Sequence, residues 1–129
     1  MQKLLVVEPA ERQRISIRGR LESRAAGIEI VFARSLNEAM SALRGGGIGC
    51  VLSAANFPHD KMGGPRGSAV DLLAAMKREQ HYQPVIVHSD NLEAEEKRAL
   101  IEKGAVAVFE RDQLTGKTLH FQLPKITKK

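Results

Sequence analysis

The residues best able to do chemistry in this chain stand where its apolar runs end. Leu4–Val7 closes on Glu8-Pro9, Val51–Ala55 on Asn56-Phe57-Pro58, Val85–Val87 on His88-Ser89, and Ala105–Phe109 on Glu110-Arg111. Such short, continuous apolar runs fit parallel strands buried on both faces, and in parallel sheets ligands collect outside the carboxyl ends, near the topological switch point. A second candidate is Gly63-Gly64-Pro65-Arg66-Gly67-Ser68, between a strand-like and a helix-like segment, where backbone amides could hold an anion. It lacks the Gly-Lys-Ser/Thr ending of a P-loop and the spacing of a dinucleotide fingerprint, so an ordinary surface loop competes with that reading. The four histidines (His59, His81, His88, His120) have no metal-ligand spacing, and no Ser/His/Asp grouping follows from spacing alone. No catalytic residue, metal or cofactor is assigned, and His88 reads as a hydrogen-bonded, half-buried imidazole.

The elements that must position these residues alternate strand and helix five times. The expected strands are Leu4–Val7, Ile28–Phe32, Cys50–Ala54, Pro84–His88 and Ala105–Phe109. Between them Ala10, Ile17, Leu21 and Ala25 recur at helical spacing, as do Leu36, Ala39, Met40 and Leu43, then Val70, Leu73 and Met76, then Leu92, Ala99 and Leu100. Ser35 with Glu38, Ser68 with Asp71 and Asp90 with Glu93 have the three-residue offset of a helix start. Asp112 opens a short last helix that Pro124 ends. This alternation implies an α/β fold, a doubly wound parallel sheet with helices on both faces. One domain is expected over 1–123, with 124–129 a basic tail or linker stump.

The 129 residues suffice for one buried core without disulfides. No apolar run nears the roughly 20 residues of a membrane span, and the start has no signal-peptide cleavage pattern, so a cytoplasmic protein is expected. The single cysteine, Cys50, reads as a small buried hydrophobe. The net charge of +5 concentrates on Arg12, Arg14, Arg18, Arg20 and Arg24 and on Lys125, Lys128 and Lys129. With no Trp and one Tyr, there is no aromatic-basic interleaving to stack bases, which argues against nucleic acid as the partner.

Across about its whole length the series of runs resembles the receiver domain of bacterial two-component response regulators. The resemblance implies the flavodoxin-like strand order 2-1-3-4-5. It also implies a phosphorylation pocket in which Glu8, Ala54, Asn56, Ser89 and Arg111 occupy the functional positions. In that family an aspartate stands where Ala54 does and accepts a phosphoryl group. A pair of acidic residues stands where this chain has Glu8-Pro9, and holds magnesium. Ser89 matches the Ser/Thr and Arg111 the lysine that contact the phosphoryl group. The hydrogen-bonding shell is thus partly kept, while nucleophile and metal site are lost. Ser53, His59 and Asp60 are the candidates for a displaced acceptor, but Ser53 is expected to face away from Ala54 and ordinary loop polar residues are the competing reading.

The expected function is therefore a pseudo-receiver: a phosphorylation-independent protein–protein interaction module of a two-component phosphorelay, not an enzyme. Its partner would be a kinase, an effector domain or another regulator. The alternative is a small-molecule or nucleotide sensor reusing the vacated pocket, with Gly63, Gly64, Gly67 and Ser68 as candidate donors. A third reading is a degenerate receiver that can still be phosphorylated. Arg111 is expected to reach Glu8 across the emptied pocket, through a fork suited to carboxylates. A weak homodimer is expected at most, through the fourth helix, fifth strand and fifth helix, where Glu93–Lys97 pairing within the helix competes for charge.

Overall fold

The computed structural model describes residues 3–22, 29–57, 67–89 and 93–110. Its elements run β1 (Lys3–Val7), α1 (Glu11–Glu22), β2 (Glu29–Ala33), α2 (Leu36–Arg44), β3 (Ile48–Ala54), β4 (Asn56–Phe57), β5 (Gly67–Ser68), α3 (Ala69–Arg78), β6 (Val85–Ser89), α4 (Ala94–Glu102) and β7 (Ala107–Glu110). Five strands form one parallel sheet in the order β2-β1-β3-β6-β7. Counted along the sheet strands alone, this is the expected 2-1-3-4-5 order. The last helix and the tail fall on 111–129, outside the described residues.

β1 is central, which is why it is apolar throughout: Leu4, Leu5, Val6 and Val7 are at most 1% exposed. Alternation along the strand splits them between two layers. Leu5 and Val7 pack with Met40 and Leu43 of α2, Leu72 and Met76 of α3, and Leu100 of α4. Leu4 and Val6 pack with Ile17 of α1, Leu52 and Ile86. Within α1 the expected stripe is thinner than its spacing suggests, because Ala10, just before the helix, is exposed and Ile17 supplies the described buried contact. Leu21 and Ala25 lie outside the residues whose side chains are described. Two of the arginines have structural tasks. Arg14 donates to the carbonyls of Glu8 and Pro9, at 2.8 Å each, and Arg18 lies 5.0 Å from the centre of the Phe32 ring.

The helix starts are partly as expected. Ser35 accepts the Glu38 amide at 3.1 Å, but the Glu38 carboxylate turns to the backbone and guanidinium of Arg34 instead of closing the box on Ser35. In α3 the buried residues are Ala69, Leu72, Leu73, Ala75 and Met76, so the inward face centres on Leu72 and leaves Val70 half-buried. α4 starts at Ala94 with Glu93 as its cap, later than Asp90. Its expected stripe is also corrected: Ala99 is exposed and only Leu100 is buried, so α4 is held by a narrow contact.

The ends of α2 and α3 are tied by a two-pronged bridge from Arg44 to Glu79, at 2.9 and 2.7 Å. That hydrogen bonding holds the Glu79 carboxyl below the usual carboxylate range. The bridge therefore supports the fold above that range and is lost as pH falls through the lowered value. Being exposed, its contribution is small.

Leu72 is fully buried. Leu72→Ala is expected to lower stability by about 2–5 kcal/mol in urea unfolding, with an unchanged slope. Ala99→Ser should stay within about 0.5 kcal/mol of the parent.

Candidate functional site

The carboxyl ends of β1, β3 and β6 meet as the alternating runs require. Val7 is in register with Ser53, and Ala54 with His88. Glu8, the next residue along β1, is thereby brought to the row of Ala54 and His88. All three are removed from solvent, with exposures of 2% for Glu8, 3% for Ala54 and 0% for His88.

A buried carboxylate is costly without partners. Glu8 Oε2 accepts the Ala10 amide at 3.1 Å, and Oε1 lies 3.7 Å from His88 Nε2. That second distance is long for a hydrogen bond but short enough for strong attraction when the imidazole carries its proton. The backbone around Glu8 is equally fixed. Its amide donates to Ala33 O at 2.9 Å, while its carbonyl accepts from Arg14. His88 is thus wholly buried, not half-buried as its place in the run suggests.

Among the described residues the side chains do not fit a magnesium ion, which takes several oxygens in a near-octahedral array. Pro9 offers no side-chain oxygen, Ala54 offers a methyl group, and the Glu8 carboxylate is turned to the Ala10 amide and His88. Among the described residues no group of three or more His, Cys, Asp and Glu is placed to hold a metal. Ser53 shares the register row of Val7 and Val87, is 0% exposed and donates its hydroxyl to Ala54 O at 2.8 Å. A hydroxyl sealed in this way cannot meet a phosphodonor. His59 and Asp60 lie outside the described residues.

Ser89 is half-buried at the end of β6, in register with Glu110. Asn56 is exposed and pairs in a short antiparallel ladder with Ser68, as Phe57 does with Gly67. This ladder was not expected from the sequence. It lies beside Ala55, whose carbonyl accepts the Ala69 amide at 2.9 Å. Ser68 is engaged twice with Asp71, donating to its carboxylate at 3.1 Å and accepting its amide at 3.4 Å. An anion at this helix start would face that carboxylate, which counts against the anion-loop reading. Gly63 and Gly64 lie outside the described residues, as does Arg111, on which the expected bridge to Glu8 depends.

On the proposed dimer face, Lys97 bonds Glu110 of β7 at 3.1 Å, so this cation ties α4 to the sheet instead of pairing with Glu93. Cys50 is 1% exposed, and burial pushes its thiol up to about 12, which makes it an inert core residue. No helix among the described residues is long and apolar enough to cross a membrane.

No protein-family profile matches the chain, and no curated protein matches its sequence. Solved structures do match its fold. The Francisella response regulator 1452 receiver domain is similar at a TM-score of 0.82 and 17% identity, covering 99% of this chain and 98% of that one. A response regulator receiver domain protein from Clostridium thermocellum is similar at a TM-score of 0.82 and 19% identity, covering 98% and 94%. The chemotaxis protein CheY4 of Vibrio cholerae is similar at a TM-score of 0.78 and 20% identity, covering 98% of each chain. At these identities the likeness is one of fold: the chain has the flavodoxin-like receiver architecture.

If Glu8 and His88 interact across the buried row, their substitutions will not be additive. Glu8→Gln and His88→Leu, made singly and together, are expected to show a coupling of roughly 0.5–3 kcal/mol in a double-mutant unfolding cycle. Additivity within about 0.3 kcal/mol would mean that they do not interact.

Proposed function

We propose that this chain is a receiver-like domain of two-component signalling that works without phosphorylation, as a protein–protein interaction module and not as an enzyme. The observation that carries the proposal is the buried row Glu8–Ala54–His88 at the carboxyl end of the sheet. A methyl group stands at the acceptor position, and the side chain that would bind metal is turned to protein groups. Phosphoryl transfer depends on positioning and on charge stabilisation around a metal, and the acceptor-position methyl group and the engaged Glu8 carboxylate support a reading without it. The proposed partner is a kinase, an effector domain or another regulator, and the proposed compartment is the cytoplasm.

A ligand sensor that reuses the vacated pocket is the weaker reading. Room left by a missing aspartate is useful to a ligand only if it can be reached, and here the flanking Ala54 and His88 are 3% and 0% exposed. Without the acylphosphate trigger, the surface moves only through a partner that binds its states unequally.

Incubation with acetyl phosphate and magnesium is expected to leave the intact mass unchanged. Ala54→Asp alone should remain inefficiently labelled, since Pro9 still withholds the second metal-binding carboxylate. Addition of one phosphoryl mass to the parent chain would overturn the proposal.

A further inference from the structure

Of the three side chains in the closed row, His88 is the one that no motif in the sequence assigns to the pocket. Its position is nevertheless closely fixed. It is in register with Ala54 on one flank and with Phe109 on the other. Its carbonyl accepts the Ala55 amide at 3.0 Å, which holds the backbone against carrying the ring away. Alternation puts the His88 side chain on the face of Ile86, which packs with Leu4, Val6 and Leu52. Glu8 follows Leu4 and Val6 by the same alternation, so both side chains are directed to one layer.

The two residues are not on neighbouring strands, because β3 lies between β1 and β6. Two strand spacings separate the backbones by about 9.5 Å. The Glu8 and His88 side chains close that gap to 3.7 Å, at the row where β3 carries the methyl group of Ala54. Such a contact takes two long side chains and a small residue on the strand between them. Glu8 and His88 are also among the largest side chains that the described residues bury fully. The row is therefore filled, and an imidazole does the filling next to its carboxylate.

A magnesium site needs the opposite. The ion takes oxygens at about 2.0–2.1 Å, dehydrates reluctantly and usually keeps several waters. Glu8 Oε2 already accepts the Ala10 amide at 3.1 Å, and the space beside Oε1 holds the His88 ring. That ring is 0% exposed, which leaves no opening beside it for a hydrated ion. Nor does the imidazole compensate as a ligand, since magnesium and manganese favour carboxylate, carbonyl and water oxygens.

We propose that His88 is the specificity-determining residue of this row: its imidazole occupies the space beside Glu8 that a divalent cation would need, and it excludes magnesium independently of Pro9 and Ala54. The missing carboxylates are then only part of the reason that the row does not fit the ion. Restoring them adds charge but leaves the ring in place. The inference rests on the phosphorylation-independent reading and deepens it, because it names the side chain that keeps the row closed even when both carboxylates are put back.

The test compares Pro9→Asp/Ala54→Asp with Pro9→Asp/Ala54→Asp/His88→Val. Valine suits a strand and removes the ring. Manganese, a paramagnetic stand-in for magnesium, is titrated into each variant. Binding is read from water proton relaxation and located by broadening of the Glu8 and Ala55 amide resonances. The variant that keeps His88 is expected to bind manganese at least tenfold more weakly than the variant with valine. Equal affinities overturn the inference, and so does a folded valine variant that binds no manganese at the row. Thermal midpoints are the folding control. If the triple variant fails it, Ala54→Asp is compared with Ala54→Asp/His88→Val by the same measurement and the same criterion. Zinc, which accepts imidazole, is titrated into the parent chain as a further arm. Zinc binding that His88→Val abolishes would make His88 a ligand and would also overturn the inference. No phosphodonor is present in any arm, so failure here is distinguishable from a gain of phosphoryl mass by the parent chain.

Discussion

A carboxylate enclosed at the end of a central strand is the constraint around which this domain is arranged. Glu8 follows the fully apolar β1, so it cannot leave the protein interior without breaking the strand that pairs with both β2 and β3. It must therefore be satisfied where it stands. The Ala10 amide, the fixing of its backbone by Ala33 and Arg14, and the imidazole of His88 answer that requirement. Ala54 makes the arrangement possible, because a second carboxylate in the same row would repel Glu8 where no magnesium could sit between them.

The two ends of the sheet consequently differ in kind. At the carboxyl end, where parallel sheets normally gather ligands, the row is closed and its polar groups are turned to protein. At the other end a hollow lined by Leu73, Met76, Lys77, Tyr82, Val85 and Lys103 opens to solvent. α4 touches both regions, held by Leu100 and by the Lys97–Glu110 bridge.

Much of the fold was legible because its signals are local. Continuous apolar runs located all five sheet strands to within two residues, and the Ser35 and Ser68 caps were identifiable from their three-residue offsets. What was not legible depends on register and on tertiary neighbours. The burial of His88 against Glu8 needs the Ala54–His88 pairing, which no run of Val85-Ile86-Val87 reveals. The β4–β5 ladder is only two residues long on each side and has no periodicity to detect. The exposure of Ala99 follows from how α4 is rotated on the sheet, and small apolar residues signal that poorly. Glu38 shows the same limit in miniature: its offset from Ser35 was informative, but its carboxylate found the neighbouring Arg34.

The most direct test of the closed row is a titration of isotopically labelled protein with magnesium and beryllofluoride, a mimic of the acylphosphate, followed through backbone amide resonances. The account predicts that the amides of Glu8, Ala55, Asn56 and Ser89 stay in place at every concentration, because neither ion finds its ligands there. Saturable shifts at those amides would contradict it, since they would mean that the row opens and that the pocket still binds what an active receiver binds.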